Sequence, residues 1–209
     1  DWWGNIFYEY YSGSEGIGMT HADPDQWLKF PGTVGKPLMG IIHICDDQGQ
    51  QVPPGEIGKI YFESDHEFNY HNDNKKREKV KHSHHSSWSS FGDIGYVNEE
   101  GYLFLTDRES FMIISGGVNI YPQEVENLLS MHEDVEDVAV IGIPDEDMGE
   151  QVKAYIKLSQ NAEIRTNQAE YFIEYTRSNL AHYKCPKSID FVDNLPRSDA
   201  GKLVKRYLK

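Results

Sequence analysis

The sequence predicts an α+β protein with two regions: a β-rich region over residues 1–108 and a small α+β domain over residues 109–209. Three observations support this prediction. Short alternating apolar runs separated by Gly and Pro turns dominate the first region. Helical periodicity begins only after Arg108, and the second region follows the order strand, helix, strand, strand, helix, strand. A chain of 209 residues is long enough for one or two domains.

The first region is predicted to consist of strands joined by tight turns. The runs "MGIIHICDD" and "EIGKIYFES" alternate in polarity, and the cluster "QGQQVPPG" lies between them. Further along, "DIGYVNEEGYLFLTDR" predicts a β-hairpin with its turn at residues 98–101. The polar stretch "YHNDNKKREKVKHSHHSSWSS" has no periodicity and predicts an exposed connection. Its His82, His84 and His85 lack the paired spacing of a metal site, so we favour a mobile loop.

The second region begins with "FMIISGG", a short apolar strand that breaks at two glycines. The segment "PQEVENLLSMH" predicts a helix that starts at Pro122 and places Val125, Leu128 and Leu129 on one face. Two strands, "VEDVAVIGIPD" and "EQVKAYIKLS", follow, and "NQAEYFIEYTRSNLAHY" predicts a second helix. The segment "KSIDFVDNLP" is the last predicted strand. We place the boundary between the regions near residues 107–111.

Composition narrows the class of protein. The formal net charge is −14, whereas a general nucleic-acid binder needs a basic face. No apolar run approaches the roughly 20 residues of a transmembrane span. Two cysteines, Cys45 and Cys185, are too few for a disulfide scaffold, which favours a reducing, cytoplasmic setting. Cys185 has no visible activating partner and is expected to pack in the interior.

Two short turns in the first region carry groups with binding chemistry. "YYSGSEG" presents the hydroxyl of Ser14 and the carboxylate of Glu15, a hard oxygen ligand suited to Mg²⁺. "FGDIGY" presents Asp93, an acceptor that could hold a ribose diol. Taken alone, each of these turns is more often an ordinary loop.

Two further stretches carry cations or glycines at specific places. In "DRESFMIISGGVNIYPQEVE", Arg108 could contact phosphate or ribose oxygens, and Gly116-Gly117 admit close approach of an extended ligand. In "PRSDAGK", Lys202 is a compact charge suited to stabilising a phosphate in a transition state. A solvated basic tail is the alternative for the C-terminal segment, and that is the expectation for its remaining cations, Lys205, Arg206 and Lys209.

Together, in this order and at these separations, the motifs resemble the C-terminal part of the adenylate-forming superfamily. "YYSGSEG" resembles the Tyr-Gly-x-Thr-Glu motif, and "SSWSSFGDIGYVNEEGYLFLTDR" resembles the Trp-x-x-Thr-Gly-Asp and Gly-Arg stretch. "IISGGVNIYPQEVE" and "LPRSDAGKLVKR" complete the set. The nearest branch is that of acyl-CoA synthetases acting on fatty or related carboxylic acids.

The resemblance implies a ligase that forms acyl-AMP from a carboxylic acid and Mg·ATP, and then transfers the acyl group to CoA. It also implies that residues 1–108 are the distorted, barrel-like end of a large N-terminal domain and that residues 109–209 are a mobile C-terminal domain. The implied roles are adenine stacking by Tyr11, phosphate contact by Ser14, Mg²⁺ ligation by Glu15, ribose contact by Asp93, ribose or phosphate contact by Arg108, a hinge at Ser110, a pantetheine tunnel along Ser115, Gly116 and Gly117, and charge neutralisation by Lys202.

The sequence departs from the family pattern at several positions. Ser12 replaces a Gly, Phe91 replaces a Thr, and Ser110-Phe111 stand where Asp or Lys and then Asp are usual. A phosphate loop and an acyl pocket are not recognisable, so we expect a piece that is inactive alone and exposes apolar surface through which it could self-associate. Two alternatives stay open: a non-catalytic interaction module or remnant, and an adenylation domain that loads a carrier protein instead of CoA.

Overall fold

A computed structural model describes residues 4–65 and 80–208. The chain separates into two compact units, Asp1–Ser110 and Phe111–Lys209. Both units are rich in strands and contain few helices, so the α+β class predicted from the sequence is confirmed.

Within the described residues, the first unit is built on one sheet of eight strands, with the short helix α1 between β2 and β3. The strand order is β1-β2-β3-β8-β7-β5-β4, and β6 pairs with β5. The predicted hairpin is confirmed, since β7 and β8 pair antiparallel. The elements are β1 (Glu9–Ser12), β2 (Met19–Ala22), α1 (Pro24–Lys29), β3 (Thr33–Met39), β4 (Ile41–Cys45), β5 (Gly58–Glu63), β6 (Trp88–Ser89), β7 (Asp93–Val97) and β8 (Leu103–Arg108).

Helix α1 was not predicted, although its start carries a recognisable signal. Asp23 and Gln26 form a capping box: the Asp23 side chain accepts from the Gln26 N–H at 2.8 Å, and the Gln26 side chain accepts from the Asp23 N–H at 3.0 Å. Pro24 occupies the first helical position, where its missing N–H has no cost. The helix has only six residues, too few for a periodic apolar face to show in the sequence.

The core of the first unit has two parts, and one of them corrects a prediction. Ile60, Phe62 and Leu103 are fully buried in the larger part. In the smaller part Trp88, which lies in the unpredicted strand β6, is buried, and His82 is also buried and packs edge-on to Tyr61. The prediction of an exposed, mobile connection is therefore wrong at both residues. The His82 ring accepts N–H groups of the next turn, which makes it part of the packing. Residues 70–79 of the predicted connection lie outside the described residues, as do residues 66–69 before it.

The second unit has a mixed sheet flanked by two helices, as predicted. Its strand order is β10-β9-β12-β11, and β13 pairs with β12 in parallel while the other pairs are antiparallel. One short strand, β10, was not predicted. The elements are β9 (Ile113–Ser115), β10 (Val118–Ile120), α2 (Pro122–Ser130), β11 (Val135–Asp145), β12 (Gly149–Leu158), α3 (Gln168–Asn179) and β13 (Ser188–Phe191).

Both helices of the second unit bury one face against this sheet. Val125 and Leu129 of α2 and Phe172 of α3 are completely buried, whereas Leu128 is half-buried. Cys185 is buried, with its Sγ 3.5 Å from the Ala181 carbonyl oxygen, which confirms the prediction that it packs in the interior. Among the helices of the described ranges, none has the length and apolar character needed to cross a membrane.

Candidate functional site

Three of the predicted nucleotide contacts meet at one place in the first unit. Tyr11 lies on β1, Asp93 begins β7, and Arg108 ends β8 directly opposite Asp93 in the antiparallel register. The Tyr11 hydroxyl donates to Asp93 Oδ2 at 2.6 Å, and Arg108 Nε lies 3.3 Å from Asp93 Oδ1. The hairpin thus aligns a carboxylate and a guanidinium side by side, and β1 adds a phenol.

Burial and hydrogen bonding act against each other at Asp93. The residue is 7% exposed, and this burial raises the pKa of its carboxyl group above the ordinary value. The hydrogen bond from Tyr11 and the charge of Arg108 oppose the rise. Burial, followed by the nearby charge of Asp93, raises the pKa of the Tyr11 phenol, which therefore stays protonated and donates.

The ring of Tyr11 has aromatic neighbours that the sequence did not assign. Phe91 meets it edge-on with ring centroids 5.5 Å apart, and Phe62 lies at 6.1 Å. Phe91 is one of the departures from the family motif, and this contact gives it a role in packing the tyrosine. Its place directly before Gly92-Asp93 was the available signal, but a lone Phe in a turn does not reveal what it contacts.

Ser14 and Glu15 lie in the turn after β1. The Ser14 hydroxyl donates to Glu15 Oε2 at 3.2 Å, and the turn is closed by a 3.1 Å hydrogen bond from Gly16 N–H to Gly13 O. The charge of Glu15 contributes to the raised pKa values of Tyr11 and Asp93, so its carboxylate acts on the same site. Mg²⁺ in nucleotide sites needs one or two carboxylates plus substrate phosphates, and Glu15 fits this requirement.

The predicted pantetheine segment forms a tight hairpin in the second unit. Ser115 is buried at the end of β9, and Gly116 and Gly117 are the two turn residues, with φ of 58° and 78°. A two-residue hairpin turn with positive φ at both positions is favoured by glycine. Gly116 also donates its N–H to the Met148 carbonyl oxygen at 2.8 Å. Met148, which the sequence analysis missed, thus lies against the turn.

Lys202 lies in a compact loop near the C-terminal end. Ser198 N–H bonds to the Lys202 carbonyl oxygen and Gly201 N–H to the Ser198 carbonyl oxygen, both at 2.8 Å, and residues 197 and 203 pair as a bridge. The side chain of Lys202 is exposed. The loop holds Lys202 with its ammonium group open to solvent, as a group that meets an anionic ligand requires.

Lys205 corrects the expectation that the remaining basic residues are solvated. It is 7% exposed, and its Nζ lies 2.7 Å from Glu126 Oε1, which is also buried. Arg206 is exposed as expected, and Lys209 lies outside the described residues. A basic tail in sequence therefore contains one interior cation, which charge counting alone does not distinguish.

Ser110, the predicted hinge residue, lies in a single 3₁₀ turn, Glu109–Phe111, and is exposed. The preceding residue is fixed to the first unit: Glu109 N–H donates to the Gly92 carbonyl oxygen at 2.9 Å, and its carboxylate is 2.8 Å from Lys59 Nζ. The residues predicted to contact the nucleotide lie before this point, and Ser115, Gly116, Gly117 and Lys202 lie after it.

The known sequences that this chain matches belong to one family of enzymes. The model of the AMP-binding enzyme C-terminal domain matches residues 124–202. An uncharacterised acyl-CoA ligase of Bacillus subtilis is 37% identical over 97% of this chain, which spans 39% of that protein. A 2-succinylbenzoate–CoA ligase of Geobacillus sp. (strain WCH70) is 36% identical over 89% of this chain and is covered over 37% of its length. The chain therefore spans well under half of these relatives.

Solved structures agree with the sequence relatives. ATP-bound MatB from Rhodopseudomonas palustris matches with a TM-score of 0.84 and 31% identity, over 98% of this chain and 40% of that one. The o-succinylbenzoate CoA synthetase of Bacillus subtilis, in complex with its acyl-adenylate intermediate, matches with a TM-score of 0.79 and 32% identity, over 97% and 40%. With the meeting of Tyr11, Asp93 and Arg108, these matches establish that the chain belongs to the adenylate-forming superfamily and corresponds to its C-terminal part.

Proposed function

We propose that this chain is the C-terminal part of an ATP-dependent acid–CoA ligase that activates a carboxylic acid of the fatty or related class. The observation that supports the proposal most strongly is the arrangement of Tyr11 and Arg108 on the two oxygens of Asp93. This arrangement fixes a buried carboxylate while leaving lone pairs for an incoming diol. The relatives are acid–CoA ligases, and the structural neighbours include ATP and acyl-adenylate complexes.

In the first step a carboxylate oxygen of the acid attacks the α-phosphorus of ATP. The bond from that phosphorus to the bridging oxygen of pyrophosphate breaks, giving acyl-AMP and pyrophosphate. In our proposal Tyr11 stacks on the adenine, Asp93 accepts from the ribose hydroxyls, and Arg108 contacts ribose or phosphate. Ser14 donates to a phosphate oxygen, and Lys202 neutralises the charge that builds up between carboxylate and phosphate. Glu15 would hold Mg²⁺, which when bound would supply charge neutralisation on the phosphates.

In the second step the CoA sulfur attacks the acyl carbonyl carbon. The bond from that carbon to the AMP oxygen breaks, and the thiol proton leaves to solvent. Ser115, Gly116 and Gly117 line the path of the pantetheine arm, because a turn without side chains lets an extended ligand approach the backbone. In our proposal the second unit rotates at Ser110 between the two steps. Lys202 then acts in the first step, and Ser115, Gly116 and Gly117 act in the second.

These 209 residues alone are proposed to be inactive, because the phosphate loop and acyl pocket expected from the resemblance are not recognisable in them. The test incubates this chain with ATP, Mg²⁺ and a panel of carboxylic acids and measures pyrophosphate release. Turnover at the rate of the full-length gene product would contradict the proposal. The same panel, applied to the full-length gene product with mass spectrometry of the products, identifies the acid.

The acceptor and the activity are tested on the full-length gene product. A thioester of CoA supports the proposal, whereas an acyl group attached to a carrier protein supports the alternative of an adenylation domain. Lys202→Ala is expected to abolish acyl-AMP formation and to preserve thioester formation from supplied acyl-AMP. No change in either step would instead support a non-catalytic interaction module.

Two further proposals concern the surroundings of the chain. We keep the cytoplasmic location predicted from cysteine usage. We also propose that the isolated chain self-associates, because large apolar side chains around α1 and the start of β1 are exposed, among them Phe7, Tyr8 and Leu28. Light scattering tests this proposal, and a monodisperse monomer would contradict it.

A further inference from the structure

The ammonium group of Lys205 occupies an interior site with two partners. Its Nζ lies 2.7 Å from Glu126 Oε1 and 4.8 Å from the centroid of the Phe111 ring. We propose that Lys205 is a positioning residue for Lys202: it ties the catalytic loop to Glu126 of α2 and to Phe111, the first residue of the second unit. This inference rests on the proposed function. It adds to that function a residue that acts through Lys202 and has no assigned contact with the acid, ATP or CoA.

Glu126 is itself held rigidly, so it provides a fixed anchor. It lies on the buried face of α2, and its Oε1 accepts the N–H of Val140, on β11, at 2.6 Å. One carboxylate oxygen therefore joins a helix, the central sheet and the Lys205 ammonium group. Removing one partner of a buried ion pair leaves an uncompensated charge, so the pair favours a single arrangement of the chain.

The loop that carries Lys202 is fastened at both of its ends. At the start Arg197 reaches Asp137 Oδ2, at the edge of β11, at 2.5 Å. At the end Val204 N–H donates to the Pro196 carbonyl oxygen at 2.8 Å, and the next residue is Lys205. Arg197 is half-exposed whereas Lys205 is buried, so the second fastening is the one protected from solvent. Lys202 lies between the two, three residues before Lys205.

Phe111 gives this arrangement a link to the proposed hinge. It directly follows Ser110 and stands where the family resemblance predicts Asp. An aromatic face attracts a cation through its ring quadrupole, and this attraction grows when the cation is desolvated. Phe111 therefore offers Lys205 a negative surface without adding a second buried carboxylate. The structure thus explains a departure that the sequence alone left without a reason.

The experiment compares variants of the full-length gene product in each half-reaction. Lys205→Met keeps the aliphatic stem and removes the charge, Lys205→Arg keeps the charge, and Arg206→Met is the exposed control. We expect Lys205→Met to slow acyl-AMP formation about tenfold or more, because small displacements of a catalytic group are costly. Thioester formation from supplied acyl-AMP is expected to stay near wild type, and Lys205→Arg is expected to recover much of the first step.

A folding defect is separated from a positioning defect by a second variant. In Glu126→Gln/Lys205→Met both charges are removed, and the amide oxygen can still accept from Val140, so the unit is expected to fold. We expect the same selective loss of the first half-reaction. Equal losses in both half-reactions, or no loss in either, would overturn the inference.

The proposed function and this inference fail in different ways. A wild-type protein that catalyses neither half-reaction rejects the proposed function. Hydrogen exchange then still tests the positioning role, because Ser198, Gly201 and Val204 donate the backbone hydrogen bonds of the loop. Lys205→Met is expected to accelerate exchange at these three amides and Arg206→Met to leave it unchanged. Unchanged exchange in Lys205→Met would overturn the inference.

Discussion

The Tyr11 hydroxyl donates a 2.6 Å hydrogen bond to one oxygen of Asp93, and Arg108 lies at the other oxygen. Among the described residues each carboxylate oxygen therefore has a protein partner, which fixes the orientation of the group. Because a carboxylate oxygen can accept more than one hydrogen bond, both oxygens can still receive ribose hydroxyls.

Tyr11→Phe is expected to weaken ATP binding about tenfold in the full-length protein, because a hydrogen bond to a charged group contributes about 1.5–3 kcal/mol. The ring and its contact with Phe91 remain, so the loss reports the hydroxyl group alone. Titration calorimetry measures it. Tyr10→Phe, on the same strand but exposed, is the matched control. Equal effects in the two variants would contradict the role given to the Tyr11 hydroxyl.

The buried carboxyl group of Asp93 predicts a pH-dependent cost in stability. Its pKa is raised above the ordinary 3.8, so the folded state holds this proton more tightly than the unfolded state. The stability that this proton provides is present below 3.8 and is lost as the pH rises through the folded pKa.

Asp93→Asn removes this dependence. Between about pH 4 and pH 7 its melting temperature is expected to rise relative to wild type. Thermal unfolding followed by circular dichroism measures the difference. Glu99→Gln changes an exposed residue of the same hairpin. Its melting temperature is expected to differ from that of wild type by the same amount at every pH in this range. If the melting temperature of Asp93→Asn exceeded that of wild type only below pH 4, the direction assigned to this pH dependence would be wrong.

Asp134 predicts the opposite pH dependence in the second unit. Its Oδ2 accepts from Arg165 at 2.8 Å, and its Oδ1 accepts the Glu163 N–H at 2.9 Å. The Arg165 hydrogen bond, followed by the backbone one, lowers the pKa of this carboxyl group below 3.8. The resulting stability is present above 3.8 and is lost as the pH falls through the folded pKa.

Arg165→Gln is therefore expected to lower the melting temperature at neutral pH, and the difference from wild type is expected to shrink in acid below 3.8. Arg177→Gln removes a second arginine, one whose partner Glu174 is exposed, and serves as the control. A deficit in Arg165→Gln that stays constant down to pH 2, roughly the lower end of the titration range of buried carboxylates, would contradict this account.

The hairpin turn predicts different effects at its two glycines. A Cβ at Gly116 would lie 2.4 Å from Met148 Cε, whereas a Cβ at Gly117 meets open space. Both positions have positive φ, so either substitution to Ala adds backbone strain of about 1 kcal/mol. Gly116→Ala is therefore expected to slow thioester formation more than Gly117→Ala does.

Met148→Ala provides the test of that steric contact. Combined with Gly116→Ala, it is expected to raise the rate of thioester formation to that of Gly117→Ala. The loss of rate that backbone strain causes in both glycine variants is expected to remain. The rate of thioester formation from supplied acyl-AMP measures both effects. If the double variant is as slow as Gly116→Ala, the contact with Met148 is not the cause.

Local signals in the sequence predicted most of the fold. The β7–β8 hairpin, helix α2 and the mixed sheet of the second unit follow from turn residues and periodicity within short windows. Helix α1 was missed because its signal is a cap without a periodic face. His82 was misassigned because a polar segment can still place one of its aromatic side chains in the core. Nothing in the neighbouring sequence shows which side chain that is.

Contacts between distant segments could not be predicted from single motifs. Asp93 and Arg108 are 15 positions apart, but only the antiparallel register places them opposite each other. Lys205 resembled its basic neighbours until the structure placed Glu126, 79 positions earlier, beside it. Met148 lies against Gly116 through a backbone hydrogen bond, which side-chain chemistry does not reveal. Motifs predicted candidate groups, and packing determined their partners.

The attachments on either side of Ser110 have a mechanical consequence. Glu109 is fastened to Gly92 and Lys59, and Phe111 lies under the Lys205 ammonium group, so anchoring begins immediately on both sides of one residue. A linker this short has almost no slack, and the conformational search it permits is confined to a few backbone torsions. The proposed rotation would therefore involve only a few backbone torsions. Little conformational entropy would be lost when the linker adopts any one orientation.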